Sequence, residues 1–463
     1  MIISNKLTIS PSDECYPVAK LFCKTELTFD NPAFIQAERM GFWTGKIPRE
    51  IRLYTTDSDN LILPFGCYRM FLNDIMKGKG YKLDLASNPP NEMEGKINLY
   101  DYQETAVRML YMARNGILIA PTGAGKTMCG LALIKQLGKK ALWLTHTKDL
   151  LNQSKERCEA FYSGDFGTIT EGKVNIGRDV TFATVQTMAK QDLSLYKYAW
   201  DVVVVDEVQR VTATPNSTAL FQTVLNNLAA RHKYGLTASL SRADRLQKCA
   251  EYLIGEIVYE IPREAVADKI INARVEAVKL DTPESLAYLG TDGMLNYTKL
   301  LEYLCTNHSR NSEIARRLNK NTEHYNLILS DRTGHLREIM SLIPRQDLCC
   351  MVDGSMTSKR GKELRQQYLE QMRTGEKRFL FATYGLAKEG LDIPCLDRLY
   401  LTTPHKDKST ILQSVGRIRR KCEGKGEPIV YDFVDDNIEY CVKAHKTRRT
   451  TYKKIDCIID KKY

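Results

Sequence analysis

Residues 116–127 read Gly-Ile-Leu-Ile-Ala-Pro-Thr-Gly-Ala-Gly-Lys-Thr, and the helix-forming run Met128–Leu137 follows at once. An apolar stretch, a Gly-rich turn and Gly-Lys-Thr opening a helix restrict the fold sharply. The strand belongs in a parallel sheet, and the helix must cross back over it. Glycines let backbone N–H groups approach an anion, and the helix N-terminus adds partial positive charge. Pro121, Thr122, Gly123, Ala124, Gly125, Lys126 and Thr127 are therefore candidate ligands of a nucleoside triphosphate. Lys126 is placed to reach the β- and γ-phosphates, and Thr127 to bind Mg2+.

A triphosphate site of this kind needs carboxylates as well. The run Val202-Val203-Val204-Val205 delivers Asp206-Glu207-Val208-Gln209 at its end. Asp206 is the expected Mg2+ ligand, and Glu207 the group that orients and deprotonates water.

The rest of the chain repeats one pattern. Apolar or β-branched runs at Gly116–Ala120, Ala141–Thr145, Val180–Thr184, Val202–Val205 and Tyr234–Thr237 alternate with helical stretches. A second series runs through Leu327–Ser330, Cys349–Val352, Arg378–Ala382, Arg398–Thr402 and Ile429–Phe433. Such runs predict strands buried on both faces of parallel sheets. Residues 1–95 differ, with short apolar runs broken by Pro, Gly and Asn, which predicts a small strand-rich domain with one or two helices. The boundaries expected are 1–95 for an accessory domain, 96–262 and 326–463 for the two α/β domains, and 263–325 for a helical connection.

Net charge is +11 over 463 residues. Residues 406–463 carry 15 basic and 9 acidic side chains, whereas residues 1–95 carry 11 and 12. The C-terminal part is thus the better electrostatic track for a polyanion. No run approaches the roughly 20 apolar residues of a membrane span. No secretory signal is visible at the N-terminus. The 13 cysteines are scattered without a Cys-x-x-Cys, which reads as reduced cytosolic thiols.

The loop and the Asp-Glu strand resemble motifs I and II of superfamily 2 helicases, which commonly use the Ala-x-x-Gly-x-Gly-Lys-Thr form present at 120–127. Other stretches match in order. Leu99–Gln103 resembles the element in which a Gln reads adenine, and Gln103 carries over. Thr145-His146-Thr147 through Gln153 resembles motif Ia, and Thr184-Val185-Gln186-Thr187 motif Ib, which grip the sugar–phosphate backbone. Gly235–Ser239 is similar to motif III. Leu329–Arg332 stands where motif IV belongs. Thr383 and the segment Gly390-Leu391-Asp392 resemble motif V, implying a DNA phosphate contact at Thr383 and nucleotide contacts at Gly390 and Asp392. Gln413-Ser414-Val415-Gly416-Arg417-Ile418-Arg419-Arg420 resembles motif VI, whose Arg417 and Arg420 would stabilise charge on the γ-phosphate, with Arg419 on a solvated basic face or contacting the backbone. The finer likeness is to the XPB-like and phage UvsW-like branch, although Gln209 ends motif II where that branch usually has His.

The resemblance implies an α/β protein of two tandem RecA-like parallel-sheet domains with a small α+β N-terminal domain. It implies a catalytic set of Lys126, Asp206, Glu207, Gln209, Arg417 and Arg420, with ATP and Mg2+ as cofactors. The partner it implies is forked, branched or duplex DNA, handled by a monomeric motor in a bacterial or phage-infected cytoplasm. The activity it implies is unwinding or branch migration in replication, recombination or repair. A motor subunit of a DNA-processing complex, an RNA helicase and a non-hydrolysing nucleotide-gated DNA-binding protein are the alternatives. Two basic clusters are further candidates for DNA: Lys46, Arg49 and Arg52 with Phe42 and Trp43, and His308, Arg310, Arg316, Arg317 and Lys320 in a helical insertion.

Overall fold

The apolar runs of the first series are neighbouring strands of one eight-stranded sheet. Their order is 173–175, 166–170, 180–184, 141–145, 202–206, 232–237, 116–119 and 257–260. All pairings are parallel except the hairpin of Phe166–Thr170 with Lys173–Asn175. Val202–Asp206 is buried at every position, as a strand covered on both faces must be. The computed structural model describes residues 1–460 except 72–80, 213–218, 241–247, 292, 357, 389–390 and 392.

The second series forms a seven-stranded, all-parallel sheet in the order 349–352, 379–383, 326–330, 398–401, 429–435, 274–280 and 458–459. These are two RecA-like α/β units in tandem, Met1–Ala265 and Val266–Tyr463. The stretch expected as a helical connection, 263–325, needs correcting. Arg274–Leu280 is a strand of the second sheet, paired along its whole length with Ile429–Asp435. The helix His308–Leu318 buries Ile314, Ala315 and Leu318 in the same core as Ile328, Leu336 and Phe433. Arg274, Glu276 and Lys279, interspersed among Val275, Ala277 and Val278, hid the strand from a reading that sought continuous apolar runs.

Residues 1–95 form a mixed five-stranded sheet in the order 55–57, 60–64, 6–9, 2–3 and 82–83, with helices Tyr16–Thr25 and Pro32–Arg39. This sheet shares its apolar core with the first α/β unit. Leu7, Leu63 and Phe65 pack in one cluster with Cys249 and Tyr252. Polar ties add to it: Lys197 Nζ lies 2.9 Å from Asp84 Oδ2, and Asn88 N–H donates to Asp201 Oδ1 at 3.1 Å. Lys233 is fully buried in the first unit, donating to Leu225 O at 2.8 Å with its ammonium 4.5 Å from the Phe65 ring centre.

Candidate functional site

Strand 232–237 lies between strand 116–119 and strand 202–206, in register Thr237↔Ile119 and Leu236↔Asp206. Three motifs therefore emerge side by side at the C-terminal edge of one sheet, the position where open parallel sheets bind ligands. The phosphate-loop candidate leaves strand 116–119, with Ala120 N–H on Thr237 O at 2.8 Å. Gly125 opens the helix Lys126–Leu137 from the left-handed region, φ +76°. A Cβ there would stand 2.4 Å from Gln103 Nε2, so only glycine fits. Gln103 is buried and braces this loop. Its Nε2 donates to Ala124 O at 2.8 Å, and its Oε1 accepts Tyr100 N–H at 3.0 Å.

After strand 202–206 the chain turns at Glu207, whose φ of 58° is unusual for a residue with a Cβ. That turn brings the Glu207 carboxylate onto Lys126 Nζ, which also lies 3.9 Å from Asp206 Oδ1. Burial raises the Asp206 carboxyl against the opposing pull of Lys126. Arg157 Nη1 reaches Thr127 Oγ1 at 3.3 Å. The set Thr127, Asp206 and Glu207 is thus all oxygen and already faces two cations. Hard oxygen donors of this kind suit Mg2+, and the glycine-bounded loop with Lys126 suits a triphosphate. The residues present fit both groups.

Gln209 extends the cluster. Its Nε2 donates to Glu207 Oε2, and its Oε1 accepts the Thr237 hydroxyl at 2.6 Å. A side chain of motif II therefore touches motif III, in the place where the related branch carries His.

The motif Ia and Ib residues lie at the same sheet edge. Thr145 ends its strand fully buried, its hydroxyl on Thr147 O at 3.1 Å, and Thr147 caps the helix Lys148–Phe161. Gln186 Nε2 donates to His146 O at 2.7 Å. Thr184 Oγ1 donates to Thr187 Oγ1 at 3.0 Å, and Gln153 sits half-buried on the helix after Thr147.

In the second unit, Ser330 and Thr383 stand opposite each other at the ends of adjacent strands. Asp331 accepts the Thr403 hydroxyl at 2.7 Å and lies 3.0 Å from His405 Nδ1. His405 stacks on Tyr384, the residue after Thr383, with ring centres 4.3 Å apart. Beneath it, Arg448 donates to His405 O at 2.9 Å and grips Asp432 through Nη2 at 2.6 Å. Both Arg448 and Asp432 are buried, at 1% and 0% side-chain exposure. Arg417 is half-buried on the helix Lys408–Ile418, with Nε on Ala387 O at 3.2 Å. Arg420 follows that helix, half-buried, its carbonyl accepting Lys425 Nζ at 2.7 Å. Gly390 and Asp392 lie outside the described residues.

Two basic residues, Arg419 and Arg310, differ from expectation. Arg419 is not on a solvated face: it is buried, donating to Ile271 O, Ile455 O and Asn272 Oδ1 at 3.1, 2.7 and 2.9 Å. Arg310, grouped with a DNA-gripping surface, is buried on Asp435 at 2.9 Å. Arg316 and Arg317 do face outward, but Glu313 holds Arg316 at 2.6 Å and lies 3.6 Å from Arg317, with Glu276 at 3.8 Å.

Comparison with known proteins fits this arrangement. Residues 96–242 match the family of the type III restriction enzyme res subunit, and residues 309–422 the helicase conserved C-terminal domain. The protein named Probable helicase D10 of Escherichia phage T5 is 24% identical over 94% of this chain and 90% of its own length. The chain belongs to superfamily 2 of the helicases. The DNA 3'-5' translocase XPB2 of Sulfurisphaera tokodaii is 26% identical to this helicase over 71% of the chain and 80% of the relative. A solved HsdR-subunit fragment of a type I restriction enzyme from Vibrio vulnificus YJ016 shares the fold, with a TM-score of 0.57, 16% identity and coverage of 79% of this chain and 69% of that one. The helicase is an ATP-dependent enzyme. None of its helices, among the described residues, is long and apolar enough to cross a membrane.

Arg157 is the residue that sequence reading of this helicase missed. It lies in a mixed-charge helical run, Lys155-Glu156-Arg157, that reads as solvent-facing. The one available signal is spacing: Arg157 follows Ser154 by three residues and Gln153 by four, which puts it on the face that Ser154 buries.

Proposed function

We propose that this helicase is a monomeric motor that hydrolyses ATP with Mg2+, moves along DNA, and unwinds or branch-migrates forked and junction DNA. The observation that carries the reading is the donor set at one sheet edge, with Asp206 and Glu207 drawn to Lys126 and Thr127 held by Arg157. Bound MgATP supplies the phosphoanhydride bond whose cleavage drives movement. Lys126 and the loop 121–127 would hold its phosphates, and Thr127 and Asp206 the metal. Glu207 would take the proton of the attacking water, with Gln209 fixing its carboxylate. Arg417 and Arg420 would supply positive charge during hydrolysis. Thr145, His146, Thr147, Gln153, Thr184, Gln186 and Thr383 would contact the nucleic-acid backbone, and residues 1–95 would serve as an accessory domain.

ATP turnover measured with and without DNA tests the site. DNA-stimulated turnover is expected, abolished by Lys126→Ala and by Glu207→Gln; normal turnover in either variant refutes the assignment. Strand separation compared on forks, four-way junctions, blunt duplex and RNA duplex tests the substrate. A second reading, a motor subunit of a DNA-processing complex, draws support from the match of residues 96–242 to a restriction-enzyme subunit family. Turnover that requires a partner protein would favour it.

A further inference from the structure

Residues 31–49 join the strand Thr28–Asp30 to its antiparallel partner Glu50–Arg52. After the helix Pro32–Arg39 this connection holds two large aromatic rings out in solvent: Phe42 is 66% exposed and Trp43 72%. The segment is anchored. Buried Asn31 donates its side-chain amide to Pro48 O at 2.7 Å and its N–H to Arg49 O at 2.8 Å. Phe42 N–H returns to Ala37 O, and Ile47 N–H to Thr44 O, both at 2.8 Å. The indole lies against Gly45, where a Cβ would stand 2.5 Å from Trp43 Cζ2 and 2.7 Å from Cε2. A ring backed by main chain on one side, and still this exposed, presents its other face to solvent.

Single exposed apolar residues are ordinary, but two adjacent aromatics on a fixed loop are not. Exposed Arg39, Lys46 and Arg49 flank them in the chain against exposed Glu38, while the acidic Glu50 is occupied by Arg52 at 3.1 Å. Positive charge is concentrated here although residues 1–95 as a whole carry slightly more acidic than basic groups. An open aromatic face on a loop with a net excess of cations matches a nucleobase attached to a phosphate chain. It does not match a cationic or purely apolar partner.

We propose that the loop Met40–Arg49 is a stacking site for an unpaired base of the nucleic acid on which this helicase acts, with Lys46 and Arg49 on the flanking phosphates. The proposal rests on the reading of the chain as a nucleic-acid motor. It adds a contact outside the helicase motifs, on the N-terminal segment.

Tryptophan emission from the intact chain tests it directly. Of the three tryptophans, Trp143 and Trp200 are 0% and 1% exposed, so emission accessible to iodide comes from Trp43. Saturation with unlabelled oligo(dT) should quench that emission and block iodide. Trp43→Ala should weaken binding to a fork with single-stranded arms by about fivefold to 150-fold, the range of base–aromatic stacking, and Trp43→Phe should weaken it less. Binding is followed separately by anisotropy of a labelled oligonucleotide. Saturated binding with iodide access unchanged overturns the proposal and leaves the motor reading standing. So does wild-type fork affinity in Trp43→Ala, or equal protection of Trp43 by blunt duplex. Absence of any DNA binding sinks both.

Discussion

Arg448→Met should destabilise the second unit far more than a surface arginine would. The guanidinium binds Asp432 through Nε, 3.0 Å from both carboxylate oxygens, and through Nη2 at 2.6 Å. Methionine keeps much of the volume and removes all of these bonds. His445 Nδ1 at 3.0 Å and the Tyr452 hydroxyl at 2.8 Å would remain as the contacts of a fully buried carboxylate. Removing one partner of a buried pair costs about 3–5 kcal/mol. In a unit of roughly 200 residues that is a fall in Tm of about 6–20 °C. The pH dependence has a definite sign. Burial works against the Asp432 carboxylate, yet Arg448 and His445 hold it at about 2. The native protein therefore keeps this contribution above the ordinary carboxylate range and loses it as pH falls through about 2. In the variant, burial acts unopposed by Arg448 and raises the carboxyl, so the deficit should be largest near pH 8 and shrink toward pH 5. Hydrogen exchange of the Ile429–Asp435 amides reads this unit alone, alongside urea unfolding. Asp432→Asn combined with Arg448→Met should cost less than the two single changes added. A deficit under about 1 kcal/mol, strict additivity, or a deficit that deepens on acidification would refute the reasoning.

Gly125→Ala should lower ATP affinity roughly tenfold, since it combines a left-handed backbone with a clash on Gln103. Adding Gln103→Ala should recover part of the loss in a fluorescent-nucleotide titration, and no recovery means Gln103 is not the obstacle. Arg157→Ala removes a cation competing for the Thr127 hydroxyl. The Mg2+ concentration that half-saturates nucleotide binding should fall by about threefold, and a rise would contradict the assignment. Burial lowers Lys233 from 10.5 to about 7, so the first unit should gain stability as pH rises from 7 toward 10. The slope should not exceed about 1.4 kcal/mol per pH unit, and Lys233→Met should flatten it in urea unfolding; an unchanged slope places the titration elsewhere.

The phosphate-loop candidate and the Asp206-Glu207 strand could be read from the sequence because their chemistry dictates both residue type and local order. The buried parallel strands were equally visible, being continuous apolar runs. Arg274–Leu280 was not, because Arg274, Glu276 and Lys279 interrupt its apolar residues and its composition resembles a connecting segment. The hardest residues were the arginines. Arg419, Arg310 and Arg448 are buried, while Arg316 pairs with a neighbouring glutamate at the surface. Nothing local distinguishes them, because a guanidinium is buried only when a distant carboxylate or carbonyl receives it, as Asp435 receives Arg310 from 125 positions away. Gln103 shows the same limit in a smaller way. Its place before the loop was legible, but its role as a brace against Ala124 follows from a backbone turn that appears only in three dimensions.

Because the first 95 residues close over Cys249 and Tyr252, they cannot be detached as a cassette. Starting the chain at residue 96 would unroof Cys249 and Tyr252 and strip Lys197 of its carboxylate partner. The loop bearing Trp43 and the helix bearing Lys126 belong to the same compact unit, Met1–Ala265. A probe attached to the outer loop would therefore report on the same unit that holds the phosphate loop.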